Sequence, residues 1–97
     1  MQNHTLQYLK KLKIDSLERN IPNISEQNAE FLEKILTEKH PKHILEIGTA
    51  NGYSALRFSQ CIDEESTITT IEYAWNDHIE AVEHCKNCKT KNIHAMW

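Results

Sequence analysis

Glu46, Gly48, Gly52 and Ser54 fall within one stretch, residues 44–54 (ILEIGTANGYS), and Glu72 follows 24 residues after Gly48. An apolar run that ends in glycine and passes straight into helix-forming sequence is a strand-to-helix turn. Such a turn offers free backbone N–H groups and the positive end of a helix dipole to a polar ligand. A carboxylate closing the next strand is placed to accept hydrogen bonds from two ribose hydroxyls. Gly48 relaxes the backbone where the chain leaves the strand and removes a side chain that would block close approach. Gly52 sits at the mouth of the helix, and Ser54 adds a hydroxyl in its first turn. Glu46 is close enough to orient the loop or to meet an amino group of the ligand. The chain contains only two glycines, and both lie in this loop. The chemistry implied is a grip on a nucleotide-like cofactor. Ala50 occupies the middle of the Gly-x-x-x-Gly spacing, so the Gly-x-Gly-x-x-Gly pattern needed for close pyrophosphate contact is missing. That counts against NAD or FAD. A purely structural turn is the alternative.

The elements that must carry these residues read as follows. Leu6, Leu9, Leu12, Ile14 and Leu17 predict an amphipathic helix over residues 4–18. Pro22 makes residues 20–24 an extended connector. Ser25 is a good N-cap for a helix that buries Ala29, Phe31, Leu32, Ile35 and Leu36 and ends near Lys39, ahead of Pro41. Residues 43–47 form a first strand, whose near-continuous apolar run predicts cover on both faces. A helix over residues 52–60 buries Ala55, Leu56 and Cys61, and residues 67–72 form a β-branched second strand. Asn76 or Asp77 caps a further helix to Lys89, and residues 93–97 begin a third strand. Strands alternating with helices imply right-handed crossovers and a parallel sheet. The fold class is α/β, a Rossmann-like parallel sheet with flanking helices, expected to be truncated after the start of its third strand. A helical lead-in (1–42) precedes a βαβαβ cofactor-binding half (43–97), the whole being the N-terminal half of one domain.

Composition narrows the classes. A net charge of −3 gives no general drive toward nucleic acid. The cluster Lys10, Lys11, Lys13 reads as the wet face of a helix. No apolar run reaches the length of a transmembrane helix, and the N-terminus lacks a signal-peptide pattern. Three cysteines are poor material for a disulfide framework. A cytoplasmic location without membrane contact is expected.

Other reactive residues invite weaker readings. His84, Cys85 and Cys88, with His94, could suggest zinc. His84 however points about 100° away from Cys85 around the helix, so buried cysteines on a sheet-facing stripe are expected, without metal. His40 and His43 should lie on the surface at the far end of the sheet. Glu80 and Glu83 should be solvated. Trp75 either stacks near an adenine or packs half-buried.

Residues 44–54 with Glu72 resemble the first two motifs of class I S-adenosylmethionine-dependent methyltransferases. The Glu46-x-Gly48-x-x-x-Gly52-Tyr53-Ser54 form is similar to the cation-dependent O-methyltransferases, the caffeoyl-CoA and catechol group with bacterial tRNA hydroxyuridine relatives. The stretch Ile21 to Ser25 resembles that group's lead-in. The resemblance implies that Glu46, Gly48, Thr49 and Ser54 line the methionine and sulfonium side of S-adenosylmethionine, with Ala50 and Gly52 also among the cofactor-binding residues. It places Glu72 on the ribose, Tyr73 beside the adenine and Ile24 above the cofactor. It implies a small-molecule or tRNA hydroxyl as acceptor, and a divalent cation such as magnesium and a homodimer for a full-length form. The family's metal ligands and substrate residues follow the third and fourth strands, so no catalytic residue is assigned. The expected function is an S-adenosylmethionine-dependent O-methyltransferase in truncated form. The alternatives are a non-catalytic remnant, marginally stable and prone to self-association through a bare strand edge, or another Rossmann-like nucleotide-binding protein.

Overall fold

The computed structural model describes residues 3–97. The element order is α1 (Asn3–Glu18), α2 (Glu26–Lys39), β1 (His43–Ile47), α3 (Tyr53–Ser59), β2 (Thr67–Ile71), α4 (Trp75–Asn87) and β3 (Ile93–Met96). The strands form a parallel three-stranded sheet in the order β1-β2-β3. Ile44, Ile68 and Ile93 stand side by side in register. They face the helices: Ile44 and Ile68 meet Ala29, Ala55 and Phe58, while Ile93 also meets a second cluster of Leu9, Leu12, Tyr53, Leu56 and Cys88.

The helices therefore cover one face of the sheet. On the other face Leu45 is 65% and Ile47 74% exposed, and Met96 is exposed as well. The expectation that β1 is covered on both faces is corrected. A strand with an apolar run needs two covering layers to bury it, and the described residues supply one. Among the described residues β1 also lies at the sheet edge, paired with β2 alone.

The helices confirm some sequence signals and revise others. Ser25 Oγ accepts from the Asn28 N–H at 3.2 Å, the predicted N-cap, and α2 ends in a left-handed His40. Of the apolar residues expected on the buried face of α2 only Ala29 is fully buried, and Phe31 faces solvent. In α1 the buried stripe is Thr5, Leu9, Leu12 and Ser16, with Ile14 and Leu17 exposed. Hydrophobicity alone misassigned this face, because two small hydroxyl residues complete it. Ser16 can be buried because its hydroxyl donates to the Leu12 carbonyl at 2.7 Å. α3 is buried nearly all round, through Tyr53, Ala55, Leu56, Phe58 and Ser59, while Cys61 beyond it is half-buried. α4 starts at Trp75, with Ala74 in the capping position, so neither Asn76 nor Asp77 caps it. No side chain caps the helix; Glu72 only fixes the chain ahead of it, accepting from the Ala74 N–H at 3.1 Å.

Arg57 clasps α2 to α3. Its guanidinium reaches Glu33 at 2.8 Å, Glu26 at 2.7 Å and the Tyr53 hydroxyl at 3.2 Å. Arg57, then Lys13, holds the Glu26 carboxyl down from its ordinary 4.5 to about 2. A depressed folded-state value means that this contribution is complete above pH about 4.5 and is lost as pH falls toward about 2. Glu26 is largely in solvent, so screening keeps the effect small. Arg57→Ala is expected to cost about 1–2 kcal/mol at neutral pH and to flatten the acid limb of a stability–pH profile measured by urea unfolding.

Candidate cofactor site at the strand ends

Gly48, Glu72 and Trp97 each follow the last residue of a strand, so the candidate residues gather at the carboxyl end of the parallel sheet. That is where open α/β sheets bind ligands. The loop from Gly48 to Gly52 takes left-handed backbone conformations at Gly48 (φ 92°), Ala50 (φ 49°) and Gly52 (φ 90°). The Gly48 and Thr49 N–H groups donate to the Ile71 carbonyl at 2.8 and 3.3 Å, which ties the loop to the end of β2. A Cβ built on Gly48 would meet nothing within 4 Å, so the space in front of it is open. A Cβ on Gly52 would lie 3.3 Å from the Ala81 Cβ and 3.4 Å from its Cα. Gly48 therefore leaves room for a ligand, whereas Gly52 leaves room for α4.

Glu72 is buried, 6% exposed, and its two oxygens are divided. One accepts from the Ala50 N–H at 2.8 Å, the other from the Ala74 N–H at 3.1 Å. The acid and the glycine turn thus share one cleft. The charge-assisted bond also offsets the left-handed strain at Ala50, which costs about 1–2 kcal/mol for a non-glycine residue. Each carboxylate oxygen keeps a further lone pair for a ligand.

Glu46 organises a second set of groups. Its carboxylate accepts from the Ser54 hydroxyl and, at 2.7 Å, from the Thr70 hydroxyl. Thr70 has one hydroxyl proton and gives it to Glu46, so the Thr49 hydroxyl, 2.7 Å away, donates to Thr70. Thr49 and Thr70 are both buried. The four residues form a hydrogen-bonded row across β1, β2 and the start of α3, in which Glu46 accepts from Ser54 and Thr70, and Thr70 from Thr49. Thr49 therefore turns its side chain inward and offers the cleft only backbone.

Sequence reasoning passed over Asn51, which is 2% exposed. Its Nδ2 donates to Ser16 Oγ at 2.7 Å, and its Oδ1 accepts from the Tyr53 N–H at 3.3 Å. An asparagine just before a helix signals such a turn, but no local pattern points to a partner 35 residues away.

The remaining expected residues are spread around the cleft. Tyr73 is 92% exposed, beside the acid, and its carbonyl accepts from the Trp97 indole N–H at 3.1 Å. Trp75 is half in solvent and packs edge-to-face on Trp97, ring centroids 4.7 Å apart. Ile24 is half-buried against the Ala29, Ala55 and Phe58 cluster. The cleft is an open shelf. Two open concavities lie elsewhere, one of about 580 Å³ at the opposite end of the sheet beside Ser66 and Thr90, the other of about 500 Å³ beside Leu6, Lys13 and Arg57. Neither contains Glu46, Gly48 or Glu72.

Among the described residues no group of three or more His, Cys, Asp or Glu side chains is gathered for a metal ion. Cys88 is buried in the core and Cys85 packs against it, as the stripe predicted. Burial pushes both thiols above their ordinary range. His84 sits apart, between the Tyr8 hydroxyl at 2.6 Å and Glu80 at 3.2 Å. Glu80 is not simply solvated: Arg19 grips it through both guanidinium nitrogens, at 2.8 and 3.1 Å, and holds its carboxyl below the usual range. His40 and His43 are exposed, as expected. No helix among the described residues is long and apolar enough to cross a membrane.

Comparison with known proteins bears on this geometry. The family model described as O-methyltransferase matches residues 1–93. A Staphylococcus aureus protein, provisionally assigned as a caffeoyl-CoA O-methyltransferase, superposes with a TM-score of 0.85 at 21% identity, over 92% of this chain and 43% of its own. The Bacillus cereus O-methyltransferase solved in complex with SAH gives 0.76 at 19% identity, over 98% and 43%. At these identities the likeness shows the fold alone. A tRNA1(Val) (adenine(37)-N6)-methyltransferase of Actinobacillus pleuropneumoniae is 37% identical over 49 residues, 50% of this chain and 21% of that protein. The chain thus spans less than half the length of the solved relatives and about a fifth of that curated one.

Proposed function

The chain belongs to the O-methyltransferase family, and from that premise we propose that it binds S-adenosylmethionine on the shelf between Gly48 and Glu72 and serves methyl transfer to a hydroxyl. The observation that carries this reading is the Glu72 carboxylate bridging the Ala50 and Ala74 N–H groups. The residues fit the cofactor. Open space in front of Gly48 admits a group at the backbone, and an anionic acceptor lies beside it for vicinal hydroxyls. Glu72 would hold the ribose, and Tyr73 and Trp75 are exposed beside it for an aromatic base. Glu46 and Ser54, with the backbone of Gly48, Thr49, Ala50 and Gly52, would hold the amino-acid end, and Ile24 would lie above it.

The cofactor supplies a methyl group made electrophilic by a sulfonium centre. The chain's own part is positioning: it fixes a donor and acceptor set on rigid strand ends and orients what binds there. The acceptor is a small-molecule or tRNA hydroxyl. A magnesium-type cation and a homodimer belong to a longer form of this family. The three cysteines are free, which supports a reducing, cytoplasmic setting.

Calorimetric titration with S-adenosylhomocysteine tests the reading. Saturable binding is expected, and absence of heat would remove it. Preferential fluorescence quenching by NADH would favour a nicotinamide protein in its place.

A further inference from the structure

The lead-in helix α1 touches the cofactor loop directly through a buried hydrogen bond. Asn51, at the centre of the loop, donates from Nδ2 to Ser16 Oγ at 2.7 Å. Ser16 is 1% and Asn51 2% exposed, so neither can exchange this partner for bulk water. The Ser16 hydroxyl proton is committed to the Leu12 carbonyl at 2.7 Å, which leaves its oxygen as an acceptor pointed at the loop. Asn51 is held at its other end by the Tyr53 N–H at 3.3 Å. The side chain therefore spans from α1 to the first residue of α3, across the segment that carries the left-handed Ala50 and Gly52.

α1 is in turn fixed to α4 on its far side. Tyr8 meets His84 and Asn87, and Arg19, just past the helix end, is paired with Glu80. One end of the Asn51 bridge is therefore anchored to a packed element rather than to a mobile one. We infer that Ser16 is a positioning residue for cofactor binding, holding the Gly48–Gly52 loop in its binding conformation through Asn51. This inference rests on the S-adenosylmethionine reading of the shelf. Loss of the Ser16 hydroxyl leaves a buried amide donor without a partner, which favours loop conformations that return Asn51 to water. Apparent affinity falls by the fraction of molecules that leave the competent state.

The experiment compares wild type, Ser16→Ala and Ser16→Thr, the last retaining the oxygen. Calorimetry with S-adenosylhomocysteine is run beside amide NMR of the unliganded chains. Ser16→Ala is expected to weaken binding about tenfold, the scale of one orphaned donor, and to shift the Ala50, Gly52 and Tyr53 amides. Ser16→Thr is expected to recover both. A merely structural role would lower the melting temperature of Ser16→Ala while leaving the affinity of the folded chain and those resonances unchanged, and that result overturns the inference. If Ser16→Ala does not fold, native-state hydrogen exchange on the unmodified chain decides. The Gly52 and Tyr53 amides should open together with the turn of α1 around Ser16, and independent opening overturns the inference. The NMR and exchange arms need no ligand, so failure of wild type to bind S-adenosylhomocysteine overturns the cofactor reading separately.

Discussion

Glu72→Gln is expected to lower affinity for S-adenosylhomocysteine at least about 100-fold in a chain that remains folded. Glutamine keeps the length and shape of the side chain but loses the charge and half of its accepting capacity. One oxygen can still receive the Ala50 or the Ala74 N–H, which now lie 2.8 and 3.1 Å from separate oxygens. The new amide nitrogen must face the other N–H, donor against donor. The stability cost is about 1–3 kcal/mol, that of one half-buried unpaired group. The ligand loses more. Hydrogen bonds to a charged partner contribute about 1.5–3 kcal/mol each, two ribose hydroxyls are involved, and about 2.7 kcal/mol already corresponds to 100-fold in affinity. Calorimetry together with a thermal melt separates the two effects. The exposed Glu83 of α4 provides the control, Glu83→Gln, with wild-type behaviour expected. Binding by Glu72→Gln within threefold of wild type (about 0.7 kcal/mol) would remove Glu72 from the ribose.

The two glycines should respond to alanine in opposite ways. Gly52→Ala is expected to destabilise by about 2–4 kcal/mol. Part is the left-handed backbone, φ 90°, costing about 1–2 kcal/mol. The rest is a new methyl against the Cα and Cβ of Ala81, a fully buried residue of α4 that cannot turn aside. Gly48→Ala carries the backbone cost alone, about 1–2 kcal/mol, since its Cβ would enter open space. That space is the proposed seat of the cofactor, so Gly48→Ala should lose ligand affinity out of proportion to its stability. Urea unfolding and calorimetry on the pair check both statements. Equal stability losses would show that α4 yields to the Gly52 methyl, and undiminished binding by Gly48→Ala would place the ligand elsewhere.

Much of the geometry of the candidate site could be read from sequence because its determinants are local. Gly48 and Gly52 mark left-handed turns that few other residues tolerate, and Glu72 ends a strand whose β-branched run is unmistakable. Pairing of those strands follows from their alternation with helices. What could not be read depends on distant partners. Leu45 and Ile47 look like core residues, yet their exposure is decided by whether a second layer covers them. Thr5 and Ser16 look like surface residues of α1, yet both are buried, and Ser16 is satisfied there by the Leu12 carbonyl and Asn51. Ala50 gives no warning of its left-handed conformation, because the Glu72 carboxylate that stabilises it lies 22 residues on, past the end of β2. Ala74 in the capping position is the same case, since Asn76 and Asp77 were better local candidates.

The sheet order β1-β2-β3 repeats the order of synthesis, and each pairing closes over a short span, as with His43 and Thr67, 24 residues apart. Closing a span of that size carries a modest entropic cost. The three described strands can therefore pair in the order in which they leave the ribosome. The Leu45, Ile47 and Met96 side chains stay uncovered on one face of that sheet, an apolar surface open to association as soon as the strands pair.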